Sequence, residues 1–331
     1  MHGQSLVDAT RATNRDRTLV DRSHAENRFR QHAEWPAFQV AHDVRRRHRC
    51  DDRAMPALID SHSHIDDGSF DADRKQVLER ARHAGVHAQI IPATTAASWA
   101  PIKALCEREA GLWPAYGLHP TFLDAHQPAH LNALREWIER ERPIAVGEAG
   151  LDFWIEDLDR ETQQTYFEAQ LEIARDFELP VILHARKAYD AVTAALRRIG
   201  GLRGVVHSFS GSAEQAQQLW KLGFHIGIGG PVTYPRAQRL RGIVASMPIE
   251  HLLLETDSPD QPLCGRQGRR NEPALLVDVL ATVAELRGES TDSVADHTRR
   301  NTERLFGIVI DTTGRDAGPG EDSEGHAPAV V

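Results

Sequence analysis

Cysteine is scarce in this chain: Cys50, Cys106 and Cys264 are the only three, and no CxxC spacing links them. That argues against a disulfide scaffold and against a thiolate zinc site, and it suits a reducing compartment. No apolar run approaches the roughly 20 residues that a membrane-spanning helix needs. Residues 1–30 are polar where a secretory signal would carry an apolar core. The expected address is the cytoplasm, with no membrane partner. An excess of positive charge is also missing, since 39 Lys+Arg stand against 48 Asp+Glu for a net charge of -9. This balance argues against a protein that coats nucleic acid nonspecifically, but it leaves room for an enzyme that handles phosphates through a local site and metal ions. Tryptophan and tyrosine are not interleaved with basic residues as they would be along a groove that stacks single-stranded bases.

What is present falls into three parts. Residues 1–54 hold eleven Arg, no Lys and eight Asp+Glu, a local charge of +3, with little periodic apolar content. Residues 314–331 are a mixture of Gly, Pro, Ser and acidic residues that cannot form a core. The expected division is a basic leader over 1–54, one domain over 55–308 and a tail over 309–331. Met55 stands immediately before the first core strand, which leaves two origins for the leader open. Either translation begins at Met55, or the flexible basic leader is genuine. The intact mass of the protein made from its native gene distinguishes them.

Between residues 57 and 308, short β-rich runs alternate with helical ones. Strand signals fall at 58–59, 86–92, 112–117, 143–147, 180–183, 204–206, 224–230 and 251–254. Helical spacing fills 73–84, 98–110, 130–140, 161–177, 187–199, 212–222 and 236–246. It returns at 273–287 and 292–306, the last read as a clamp on the wall of the fold. Eight strands with candidate ligands at their carboxyl ends predict an α/β chain folded as a (β/α)8 TIM barrel. In a doubly wound sheet the ligands would gather at one switch point instead of recurring at strands 1, 3, 4, 5, 6 and 8.

The chemistry starts at LIDSHSHIDD, residues 58–67. His62 and His64, two apart on an extended chain, point the same way and can share one ligand. Later strand ends deliver Glu148, His184, His207 and Asp257. Taken singly, a strand-end histidine could cap a helix or bond a loop; the recurrence on five strands is what predicts a metal site. Imidazole and carboxylate together suit zinc, manganese, iron or cobalt, while magnesium normally prefers more oxygen. Six ligands exceed the needs of one tetrahedral ion, so two divalent ions are expected. The simplest partition puts His62, His64 and Asp257 on one, His184 and His207 on the other, and Glu148 between them. A bridging water is then the nucleophile, and Asp257 is placed to take its proton.

Other side chains have open roles. Asp60 is expected to orient a ligand imidazole through its other nitrogen. His119, in GLHP, contacts a leaving-group oxygen or phosphate, or simply packs. Arg186, in HAR, could grip a phosphate bidentately. Arg266, Arg269 and Arg270 make a basic loop at the mouth that suits an anionic substrate, or else they are solvated surface charge. Cys264 reads as an incidental loop thiol.

The ordered set IDSHSHIDD, YGLHP, VGEAGLD, PVILHAR, VVHSFSG, LLLETDSPD and RNEP closely resembles the TatD family of metal-dependent hydrolases and deoxyribonucleases, within the amidohydrolase-type barrels. The likeness covers roughly residues 55–308. The segment ETDSPDQPLCGRQGRRNEP is most similar to a branch described only as metal-dependent hydrolases. The resemblance implies a two-metal barrel using magnesium or manganese, with zinc also compatible with the ligand types. It implies His62 and His64 as the HxH pair, Glu148 as the bridge, and His184, His207 and Asp257 as the remaining ligands. It further implies hydrolysis of DNA phosphodiesters, with 3′-to-5′ exonuclease action among the expectations. A monomer is expected because no exposed coiled coil or repeat is evident. Many members carry Cys where this chain has Ser63 and Ser208. Asp260 and the long loop over 264–270 stand where nuclease members often carry an aromatic, which bears on DNA specificity more than on hydrolysis. One rival is an amidohydrolase-type enzyme acting on a small-molecule ester or amide. Many such barrels bridge their metals with a carbamylated lysine, whereas this chain has Glu148, and Lys187 lies beyond His184. A second rival, a barrel serving only as an interaction module, would be expected to have lost ligands, and none is missing.

Overall fold

In the computed structural model, residues 56–310 are described. The expected leader, the Met55 start and all of the expected 309–331 tail but its first two residues lie outside the described residues; of those two, Ile310 is buried in the core and does not belong to a tail. Eight short apolar runs form parallel strands: β1 (Leu58–Asp60), β2 (Val86–Pro92), β3 (Leu112–Tyr116), β4 (Ala145–Asp152), β5 (Val181–Arg186), β6 (Gly204–Val206), β7 (Phe224–Ile228) and β8 (Leu252–Leu254). They pair strictly in chain order. The Ser61 amide donates to the Leu254 carbonyl at 3.0 Å, which brings the end of β1 against β8 and closes the ring. Parallel neighbours cannot be joined by tight hairpins, so each crossover carries a helix. These are α1 (Arg74–His83), α2 (Trp99–Arg108), α3 (Ala129–Glu141), α4 (Arg160–Asp176), α5 (Tyr189–Ile199), α6 (Ala213–Lys221) and α7 (Gln238–Ser246). Two more, α8 (Leu276–Arg287) and α9 (Thr291–Phe306), follow β8. The expected (β/α)8 barrel is the fold observed. Among the described residues no helix is long and apolar enough to cross a membrane.

Side-chain alternation along each strand splits the apolar residues into two sets. Ile59, Ile90, Ala115, Ile182, Val205 and Leu253 meet inside the barrel. Their sequence neighbours, such as Leu58, Ile91, Tyr116 and Leu183, face outward into the layer shared with the helices.

Two expectations shift. The fourth strand does not stop at residue 147; it continues through Glu148 to Asp152, with Ala149, Gly150, Leu151 and Asp152 aligned with Leu183, His184, Ala185 and Arg186 of β5. Gly147 and Glu148 look like a strand end in sequence, but pairing with β5 overrides that local signal. The last helix is also more than a wall clamp. Leu305 and Phe306 at its end, with Ile308 and Ile310 just beyond, join the interior cluster and seal the barrel floor. Asn301 of α9 donates to the carbonyls of Ile249 and Leu252 at 2.7 and 3.0 Å, tying the helix to the start of β8.

Candidate metal centre

Glu148 occupies the middle of the barrel mouth, with 1% of its surface exposed. Its two oxygens face different histidines. Oε2 lies 3.2 Å from His62 Nε2 and 3.6 Å from His64 Nε2. Oε1 lies 2.7 Å from His207 Nε2, 3.0 Å from His119 Nε2 and 3.3 Å from His184 Nδ1. Asp257 Oδ1, just past β8, is 3.6 and 3.7 Å from the Nε2 atoms of His62 and His64. Three overlapping trios have donor atoms close enough to share an ion: His62 with His64 and Glu148, His62 with His207 and Asp257, and His119 with Glu148 and His184.

All six residues expected as ligands therefore meet at one point, but their grouping differs from the simplest partition. His207 sits between the two sets, its Nε2 3.3 Å from His184 Nδ1 and its ring stacked at 3.9 Å on that of His62. His119, expected at a phosphate or in packing, is instead drawn against Glu148.

The surrounding contacts explain how the donors are held. His184 Nε2 lies 2.9 Å from Asp152 Oδ2, which turns Nδ1 toward Glu148. Asp152 was missed in the sequence, although a signal existed: it stands four residues after Glu148 on one strand, so alternation puts both on the same face. Between them Gly150 has no side chain, and a Cβ there would fall 2.0 Å from the His184 carbonyl oxygen. Gln261 was also missed. Its amide donates to Asp257 Oδ2 at 2.5 Å and to the Ser208 hydroxyl, leaving Asp257 Oδ1 toward the histidines.

Asp60 does not grip an imidazole in its described hydrogen bonds. It accepts from the Thr256 amide at 2.9 Å, the Thr256 hydroxyl at 2.6 Å and, weakly, the His62 amide at 3.3 Å. It thus joins β1 to the segment carrying Asp257. Ser63 turns away toward Ser258 and Gln89, as alternation requires. Arg186 is half exposed, 4.0 Å from Asp152 Oδ2. Arg266 faces Asp278 of α8 at 4.0 Å, and Arg269 is exposed. The third arginine of that loop, Arg270, is bound to Asp73 and Glu272 at 2.7 and 3.0 Å. The loop is thus partly spent on holding the barrel rim.

Burial would raise the Glu148 carboxyl, yet His119, His207 and His62 outweigh it and hold the group well below the usual carboxylate range. Burial likewise opposes charge on His64 and His207, but Glu148 and Asp257 push them up to about 10 and about 9. His62 goes the other way, to about 4, through burial and the neighbouring His207. Glu148 Oε1 is buried without an aligned hydrogen-bond donor despite three imidazoles around it. That orphaned oxygen, amid a nitrogen and carboxylate donor set, fits divalent cations.

The sequence profile of a family described as TatD related DNase matches residues 59–307. An uncharacterized metal-dependent hydrolase of Escherichia coli K12, YjjV, is 44% identical over 254 residues, spanning 76% of this chain and 98% of the relative. A 3′-5′ ssDNA/RNA exonuclease TatD of Klebsiella pneumoniae is 35% identical over 262 residues, 76% of this chain and 99% of the relative. The crystal structure of YjjV superposes with a TM-score of 0.74 at 42% identity, covering 76% of this chain and 98% of that one.

Proposed function

We infer, from the premise that this chain belongs to the TatD-related DNase family, that it is a divalent-metal-dependent nuclease that hydrolyses phosphodiester bonds at the end of a DNA strand. The observation that carries this reading is Glu148, whose Oε2 faces His62 and His64 while Oε1 faces His119, His184 and His207. A carboxylate presented to two donor sets in this way suits a bridge between two ions. His62, His64 and Asp257 would hold one ion and His184 with His119 the other, with His207 within reach of both. Bound magnesium or manganese supplies Lewis acidity toward a phosphoryl oxygen and lowers the pKa of the attacking water.

The protein's own groups do the rest. Asp257, whose Oδ2 accepts from Gln261, presents Oδ1 toward His62 and His64, where it would also take the water's proton. Asp152 keeps His184 in one orientation. Burial of Glu148, His62 and His207 limits competing solvent. A carbamylated-lysine amidohydrolase is disfavoured, because Lys187 lies outside the centre with its Nζ 4.0 Å from the Trp154 ring. The reading includes a cytoplasmic monomer, the address following from cysteine usage.

The test is protein stripped of metal, then assayed with Mg²⁺ or Mn²⁺ on single-stranded and duplex DNA labelled at either end. Metal-restored release of nucleotides from one end is expected. Failure of every metal to restore cleavage, alongside turnover of a small ester or amide, would overturn the assignment.

A further inference from the structure

Aromatic and basic residues are not interleaved along this chain, yet the barrel brings them together at its mouth. Trp154 is one of two large apolar side chains exposed among the described residues, at 44%. Nothing in the core requires it there. Its position is nevertheless fixed. The amides of Trp154 and Ile155 donate to Asp152 Oδ1 at 2.9 and 3.2 Å, while Oδ2 of the same carboxylate is the atom that holds His184. One side chain thus locates both the candidate metal centre and the exposed indole beside it. Pairing of Asp152 with Arg186 then sets the end of β5 alongside. The Arg186 guanidinium lies 5.0 Å from the centre of the Trp154 ring and the Lys187 Nζ lies 4.0 Å from it, with the Arg186 side chain 41% exposed.

A half-exposed indole with two cations over its ring offers the two chemistries that an unpaired nucleotide needs, a flat face for the base and positive charge for the phosphate. A base inside a duplex has both faces covered and one at a duplex end has a single open face, whereas an unpaired base can turn either face to the indole. We propose that Trp154, with Arg186 and Lys187, forms a subsite for the single-stranded segment adjoining the bond to be cut, one base taking the cations' place over the indole while the two cations turn to its phosphates. The inference rests on the nuclease reading and adds to it a contact beside the bond to be cut.

The test compares wild type with Trp154→Ala and Trp154→Phe, each checked for an unchanged thermal melt. Binding of a fluorescein-labelled oligothymidylate with phosphorothioate linkages is read by anisotropy in the presence of Mn²⁺, and KM is measured on the ordinary oligonucleotide. Trp154→Ala should weaken binding by about 5- to 150-fold, the range to which stacking of about 1–3 kcal/mol per base converts, with a parallel rise in KM. Phenylalanine, which keeps a stacking face, should recover most of that loss. If wild type cleaves DNA while the alanine variant binds and cleaves equally well, the subsite is wrong and the nuclease reading stands. Equal losses in the alanine and phenylalanine variants would also overturn the stacking role. A wild-type protein that neither binds nor cleaves nucleic acid with any metal would overturn the nuclease reading and the subsite with it.

Discussion

The two ends of this barrel are built from the same strands and do opposite things. At the floor, Ile59, Ile182 and Leu253 meet Leu305, Phe306 and Ile308, a neutral plug that excludes water and makes no demand on charge. At the mouth, a few residues further along those strands, Glu148 is buried among imidazoles that compete for its two oxygens. Burying apolar surface at the floor stabilises the fold. Collecting titratable groups at the mouth costs solvation, which ligands or protons must offset. The contrast follows the general division of such barrels into a face that carries stability and a face that carries chemistry. It also makes the two ends separable by experiment.

The largest effect should come from the mouth. Glu148→Gln keeps the shape but removes the charge, and kcat should fall by about 10³-fold or more while the thermal melt stays near wild type. Undiminished activity would remove Glu148 from its bridging role. Asp152→Asn should cost about 10- to 100-fold in metal affinity or activity, because His184 loses the carboxylate that orients it; titration with Mn²⁺ followed by rate measurements reads this directly. Phe306→Ala at the floor reverses the pattern. It should destabilise by about 3–5 kcal/mol in chemical denaturation, with kcat little changed for the protein that remains folded. A catalytic collapse in that variant without loss of stability would break the comparison.

The smallest effect concerns pH. His225, near the floor end of β7 and in register with Val205, is pushed down to about 4, chiefly by burial and then by the neighbouring His251. An unfolded histidine takes up its proton near 6.5, so the unfolded state binds more protons than the folded one in between. Stability should therefore be full above pH 6.5 and erode as pH falls from there through about 4. A His225→Phe variant should show a shallower loss of melting temperature across that window. An identical pH dependence in the two proteins would exclude His225 as its source.

Much of the centre was legible because it is local in sequence. His62 and His64 declare themselves by a spacing of two, and regular strand-helix alternation places each later candidate ligand at the same end of the fold. What escaped was made by contacts between distant strands. Asp152 touches His184 across the β4–β5 pair, and Gln261 reaches Asp257 and Ser208 from a loop. Trp154 meets its cations only because Asp152 and Arg186 are in register. Strand β4 reads as ending early because glycine and glutamate are poor strand formers alone. The apolar stripe of α9 shows that one face is buried, but only the closed ring shows that Phe306 caps the floor.

The central claim is that Glu148 bridges two cations at the mouth. Anomalous diffraction from crystals soaked in Mn²⁺ tests it most directly. The account predicts two manganese peaks, one on each side of the Glu148 carboxylate, the first beside His62 and His64 and the second beside His184. A single peak, or two peaks of which neither contacts Glu148, would contradict it.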